Sequence, residues 1–146
     1  MLRQLALADM GAAARVHRIA FDHAMPWLAG LHTPDEDHWF YRERVFPSCR
    51  IWGRLEGDEL CGIIAFRDGW IEQLYVRPAA HGRGIGTELL DVAKATSERL
   101  TLWTFQRNAP ARRFYEARGF VLAEETDGTR NEEREPDARY VWTRAG

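Results

Sequence analysis

Between His81 and Gly86 the chain reads His81-Gly82-Arg83-Gly84-Ile85-Gly86, with three glycines in five positions. Residues of this type at this spacing can hold an anion. Such a turn frees backbone N–H groups at a helix N-terminus, where the helix dipole favours negative charge. Glycine is needed because a Cβ would disfavour φ > 0 or obstruct the approach of a phosphate. Two common phosphate patterns do not fit. A P-loop ends in Gly-Lys-Ser/Thr, whereas here Gly86-Thr87 follows Ile85. A dinucleotide fingerprint starting at Gly82 would need glycine where Thr87 stands, and a parallel β-α-β unit at the start of the domain. Taken alone, the cluster is a weak signal, and a tight strand-to-helix turn is its other reading.

The elements needed to position this turn can be read on both sides of it. Ile71–Val76 is short, β-branched and aromatic, as a buried strand should be, and Arg77-Pro78 stops it. Ile85, Leu89 and Ala93 then recur at helical spacing, giving a helix from about Gly84 to Arg99 that leads to a strand over Leu100–Phe105. A strand-helix-strand crossover implies parallel pairing of the two strands. Upstream, Arg50–Leu55 and Leu60–Arg67 form a hairpin around Gly57-Asp58, and Asp68-Gly69 turns into Trp70–Val76. Leu2–Leu7 is a short first strand. A first helix follows, with Asp9 as its cap and Ala12, Val16, Ile19 and Ala20 as its apolar stripe. Thr33-Pro34-Asp35-Glu36 is a capping box opening a second helix, whose face carries His38, Trp39, Arg42, Val45 and Phe46. Downstream, Asn108 caps a helix containing Pro110 and ending at Gly119; strands follow over Phe120–Ala123 and Arg139–Thr143, joined by a polar loop.

Composition narrows the function classes. A chain of 146 residues is a single-domain size, and 45% hydrophobic with 29% charged residues is ordinary for a globular protein. A formal net charge of −2 argues against a nucleic-acid surface, and no apolar run approaches a membrane span. Two cysteines make no disulfide framework, and pairing around Gly57-Asp58 puts Cys61 near Arg54 rather than Cys49. A reduced, cytoplasmic protein is therefore expected, with neither nucleic acid nor membrane as partner. His17, His23, His32 and His38 match no common zinc spacing, so no metal site is expected.

Val76-Arg77-Pro78 with His81-x-x-Gly84-x-Gly86, followed by Asn108-x-x-Ala111-x-x-Phe114-Tyr115-Glu116-x-x-Gly119-Phe120, resembles the GNAT superfamily of acetyl-CoA-dependent N-acetyltransferases. The resemblance covers about Trp70 to Glu125. His81 departs from it, standing where Gln or Arg is usual. It implies a single domain over residues 1–146, of α/β (α+β) class. Its mixed sheet would have six to seven strands, mostly antiparallel, with strands four and five a splayed parallel pair, and about four helices. It also implies acetyl-CoA as acetyl donor, direct transfer to a primary amine in a ternary complex, and room for a homodimer. A small cationic amine is the expected acceptor; the alternatives are a protein N-terminus or lysine, or a non-catalytic acyl-CoA-binding module.

By the same resemblance, backbone groups near Leu74, Tyr75 and Val76 would hold the acetyl oxygen and the pantetheine arm. The pyrophosphate would lie on His81, Gly82, Arg83, Gly84, Ile85, Gly86 and Thr87. Asn108 would contact the pantetheine or simply cap its helix, and Arg112 would reach a phosphate or be solvated surface charge. Tyr115 matches the tyrosine that protonates the departing sulfur; otherwise it is a core aromatic. Glu72 lies two residues before Leu74 and four before Val76 and so shares their strand face, making it the general-base candidate, with water or an arginine-paired structural carboxylate as the other readings. Trp27 and Trp39 lie where the acceptor pocket is built. In the polar stretch Thr126–Tyr140, Glu132, Glu133 and Asp137 would attract a cationic amine, unless this is only a solvated loop.

Overall fold

The computed structural model describes residues 1–144; Ala145 and Gly146, the end of the expected domain, lie outside the described residues. One seven-stranded sheet runs through the molecule: β1 (Leu2–Gln4), β2 (Arg50–Glu56), β3 (Glu59–Arg67), β4 (Trp70–Val76), β5 (Arg99–Phe105), β6 (Val121–Thr126) and β7 (Asp137–Thr143). Their order is β1-β2-β3-β4-β5-β7-β6, antiparallel except for β4 and β5. Helix α1 is Met10–Ala24 and α2 is Pro34–Phe40; a π-turn over Tyr41–Val45 leads into α3 (Phe46–Ser48). Helix α4 is Ile85–Lys94 and α5 is Ala109–Ala117. The expected mixed, mostly antiparallel architecture is the one found.

The central strand explains the layering. On β3, Ile63 and Ala65 face α1 and the π-turn, packing with Met10, Val16, Tyr41 and Val45. Ile64 and Phe66 face the other way, onto Ile85, Leu89 and Leu90 of α4. A strand covered on both faces reads as a continuous apolar run. Helix α4 packs closely because Gly62 lacks a side chain: a Cβ there would lie 3.0 Å from both Ile85 Cγ2 and Leu89 Cδ1. Gly62→Val is therefore expected to destabilise the fold by about 1–3 kcal/mol through overpacking. Urea unfolding should show a lower midpoint at unchanged slope, and an unaltered midpoint would refute this packing argument.

Several expectations need correction. The Asp9 carboxylate does not cap α1; it accepts from Ala6 N–H at 2.8 Å and pairs with Arg3 at 3.0 Å, closing a short 3-10 turn before the helix. The capping box at Thr33 and Glu36 does form, with bonds of 3.1 and 2.7 Å. The buried face of that helical segment is Asp37, Tyr41 and Val45, whereas Trp39 is 46% exposed. Asp37 is buried because Arg18 of α1 grips both carboxylate oxygens, at 2.8 and 2.9 Å, an ion pair that sequence periodicity cannot reveal. The downstream helix ends at Lys94, short of Arg99.

Two bulges change strand parity. Arg54 pairs with Gly62 and Leu55 with Leu60, so Cys61 is the extra residue of the first hairpin; it is a free thiol, as is Cys49. In the second, Ala65 pairs with Gln73 and Phe66 with Ile71, leaving Glu72 as the extra residue on β4. Among the described residues, no helix is long and apolar enough to cross a membrane.

Candidate active site

β4 and β5 pair only at Trp70 and Thr101, where Thr101 N–H donates to Gly69 O at 2.8 Å. Beyond that bridge lies a cleft of about 780 Å³, walled by Ile71–Val76 on one side and Leu102–Phe105 on the other. The glycine turn, the start of α4 and the inner face of α5 complete it. The peptide groups on the β4 wall follow from the ladder. Arg77 N–H donates to Cys61 O at 2.8 Å, so the antiparallel alternation turns Tyr75 toward β3 and leaves the peptide groups of Leu74 and Val76 facing the cleft. The backbone of Tyr75, expected to serve the same purpose, belongs to the sheet instead. The carbonyl of Val76 accepts from His81 Nε2 at 3.0 Å, so this histidine braces the turn against the strand.

The three glycines of the turn differ in function. Gly82 and Gly84 have φ of +80° and +77°, and a Cβ at either would meet no atom within 4 Å. Their conformation therefore holds open a concavity at the N-terminus of α4, of which Gly84 is the N-cap. Gly86 is a packing residue: its Cβ would lie 3.0 Å from Phe114 Cε1. Open space over this turn, at the N-terminus of a ten-residue helix, fits a pyrophosphate. Arg83 is exposed at its edge, 3.8 Å from Glu56, and Thr87 accepts from Arg118 Nε at 2.8 Å.

Tyr115, from α5, is buried against the edges of Phe114 and Phe120 and lines the cleft. No hydrogen bond within the described chain engages its hydroxyl, and no buried side-chain N or O is left orphaned there, so the hydroxyl is open to the cleft. Burial pushes its phenol above the ordinary tyrosine range, with nearby Tyr75 adding to the effect. Tyr75 is raised in the same way, by burial first and then by the charge of Glu133.

A second cavity, of about 750 Å³, lies between α1, α2 and the β6–β7 loop. Its lining is aromatic and acidic: Trp39, Phe40 and Tyr41 with Asp35, Glu36 and Glu132. Phe21, Gln73, Tyr75, Phe105 and Glu133 line both cavities, so the two spaces share a wall at the Tyr75 ring. His17 supports that ring at a centroid distance of 4.3 Å and shares a 2.6 Å hydrogen bond with Tyr41 Oη. Burial lowers the His17 pKa to about 4, so it is a neutral imidazole at ordinary pH.

Other expected site residues are placed differently. Glu72 does not share the face of Leu74 and Val76, because the bulge at Glu72 itself breaks the alternation; it is half-exposed and bound to Arg67 Nε at 2.7 Å. Arg112 lines neither cavity. Its guanidinium is held by Tyr140 Oη at 2.9 Å, Gln106 O and Glu125, on the far side of α5. Trp27 is likewise no pocket residue: it donates to Glu135 at 3.1 Å beneath the guanidinium of Arg107. Asn108 lines the cleft and also caps α5, accepting from Ala111 N–H at 3.3 Å.

The polar stretch between β6 and β7 is more ordered than its composition suggests. Glu135, 4% exposed, anchors it through two bonds of 2.8 Å to Arg107, which also hold its carboxyl below the usual carboxylate range. Asn131 donates to Glu135 O at 2.8 Å, and the Asp137 carboxylate is bonded by Thr126 and Asn131, so Asp137 is structural. Glu132 pairs with His32 Nε2 at 2.7 Å, tying this loop to the entrance of α2. The sequence carries no motif that marks Gln73, Phe105 and Arg118 as lining the cleft, or His17 as lining the second cavity. An apolar-stripe reading of α1 passes over His17, and Arg118 falls outside any glycine or aromatic motif.

A splayed parallel pair, an amide-lined glycine turn at a helix N-terminus and a buried tyrosine opening onto the cleft define an acyl-CoA-type transferase architecture. The model of the Acetyltransferase (GNAT) family matches residues 16–120, and the chain belongs to that family. The chain is 30% identical over 84 residues to the peptidyl-lysine N-acetyltransferase YiaC of Escherichia coli (strain K12), covering 57% of this chain and 58% of that protein, less than two thirds of its length. Among solved structures it is similar to apo YjaB from Escherichia coli, with TM-score 0.81, 18% identity and coverage of 99% and 98% of the two chains. It is also similar to yncA from Salmonella typhimurium with acetyl-CoA, with TM-score 0.72, 19% identity and coverage of 100% and 96%. At these identities the structural likeness is one of fold.

Proposed function

We propose that this chain is an N-acetyltransferase that moves the acetyl group of acetyl-CoA to the primary amine of a cationic acceptor. The carrying observation is that a cleft running past a glycine cradle shares a wall, at Tyr75, with a second cavity lined by carboxylates. The cradle, the peptide group of Leu74 and the N–H of Val76 would hold the pyrophosphate and pantetheine arm, and the thioester supplies the activated acetyl group. Acetyl-CoA in the yncA structure, which shares this fold, supports that reading. The acceptor enters from the second cavity, so donor and amine meet in a ternary complex. Neither Cys49 nor Cys61 lines the cleft, which favours direct transfer over an acyl-cysteine route. Two free thiols also fit a reducing compartment such as the cytoplasm.

Transfer needs a neutral amine, a close carbonyl, a stabilised oxyanion and a protonated leaving sulfur. The Tyr115 phenol supplies the proton for sulfur. Its raised pKa keeps it protonated at neutral pH, although transfer to a thiolate of ordinary pKa about 8.5 is then uphill and must accompany C–S cleavage. The second reading is a peptidyl-lysine acceptor, favoured by the match to YiaC; it needs the same chemistry with a longer approach. An acceptor panel read by mass spectrometry tests both readings. Cationic amines should outcompete neutral and acidic ones, and kcat/KM should fall as salt rises because screening weakens the attraction of Asp35, Glu36 and Glu133. A best acceptor that is anionic would refute the proposal; lysine peptides outpacing every small amine would select the second reading.

A further inference from the structure

The remaining step of the reaction is removal of a proton from the acceptor ammonium. Resting on the acetyltransferase reading above, we propose that Glu133, in the β6–β7 loop, is the general base that takes this proton. Six carboxylates besides Glu133 line the two cavities, and most are already engaged. Glu72 is bound to Arg67, Asp137 to Thr126 and Asn131, Asp37 to Arg18, Glu132 to His32 and Glu36 to the Thr33 cap. Glu135 does not line either space. Asp35 is free of such partners but is exposed and touches only the second cavity.

Glu133 differs from all of these. It is half-buried, it makes no hydrogen bond or ion pair among the described residues, and it is the one carboxylate lining both cavities. It therefore stands at the wall where an amine from one space would meet an acetyl group from the other. Tyr75 and Tyr115 line the same cleft as Glu133, and the charge of Glu133 raises the Tyr75 phenol further. Its loop is anchored by the buried Glu135 carboxylate, which accepts two bonds from Arg107. The loop is also pinned at Gly128, where a Cβ would lie 2.4 Å from the Glu135 backbone. A base positioned this way does not rely on the mobility of an exposed loop.

The proton balance closes. The ammonium gives one proton to the Glu133 carboxylate, and the freed nitrogen lone pair forms the C–N bond. The C–S bond breaks with its electrons on sulfur, and sulfur takes a proton from Tyr115. The second proton on nitrogen restores the phenol, and Glu133 returns its own to solvent, releasing one proton per acetylation.

The test compares two amines in Glu133→Gln: a basic alkylamine, cationic at assay pH, and a fluorinated alkylamine already neutral there. With the basic amine, kcat should fall on the order of 10²-fold, the low end for a positioned base, because water can substitute. With the neutral amine it should fall less than about tenfold, since little proton removal from an ammonium remains for the base to do. Calorimetry should show unchanged affinity for CoA, confirming an intact cleft, and Glu133→Asp should retain part of the rate. An equal fall for both amines, an unaltered kcat, or a raised KM with kcat intact would overturn the role of Glu133 alone. A wild-type protein that acetylates no amine would overturn the acetyltransferase reading, and this proposal with it.

Discussion

Replacing Tyr115 by Phe is expected to lower turnover on the order of 10²–10⁴-fold while leaving acetyl-CoA affinity within about twofold. The substitution removes one oxygen and keeps the ring. That ring is what packs against Phe114 and Phe120, at centroid distances of 5.3 and 5.4 Å, so the fold and the cleft should be unchanged. The hydroxyl itself bonds nothing in the described chain, and losing it leaves no buried partner unpaired. Only the proposed proton donor to sulfur is lost. Steady-state kinetics beside calorimetry separate the two effects. Turnover at the wild-type rate would make Tyr115 a packing residue and assign sulfur protonation to water.

Gly84→Val is expected to weaken CoA binding on the order of 10³-fold, equivalent to losing about two charge-assisted hydrogen bonds at roughly 1.5–3 kcal/mol each. At φ +77°, a β-branched residue is strained, and relieving that strain rotates the turn's N–H groups away from the anion. A Cβ at Gly84 meets no protein atom within 4 Å, so the free protein has room for it and the effect should fall on the ligand. Calorimetry with CoA measures the loss, while circular dichroism and the thermal midpoint report whether the fold survives. ATP and NAD should bind the wild-type protein much more weakly than CoA, because the turn lacks the P-loop lysine and the third dinucleotide glycine. Unchanged CoA affinity in the variant would remove the turn from the binding site.

Much of the architecture was legible in the sequence because it rests on local rules. The Gly57-Asp58 and Asp68-Gly69 turns, the Thr33 capping box and the crossover after Val76 each follow from backbone preference or periodicity, and each is found. The glycine turn was legible for the same reason, since positive φ is a property of the residue itself. The division of labour among its glycines was not, because Gly86 is required by Phe114, a side chain twenty-eight residues further along the chain.

The site carboxylates and arginines were the least legible part. Glu72 was placed by strict alternation, and a single extra residue opposite Phe66 reversed its face. Arg112 and Trp27 carry suitable chemistry, but partners from other elements, Tyr140 for one and Glu135 for the other, had already engaged them. By itself, then, the sequence determined the elements, their order, the parallel crossover and a glycine turn at a helix N-terminus, all of which depend on neighbours within a few residues. Tertiary structure alone decided which charged groups are engaged, leaving Glu133 without a partner among the described residues, between two cavities, while Glu132 and Glu135 are bound. That outcome depends on which side chains meet across the sheet and loops, and a charge's availability is set by those distant partners rather than by its own type.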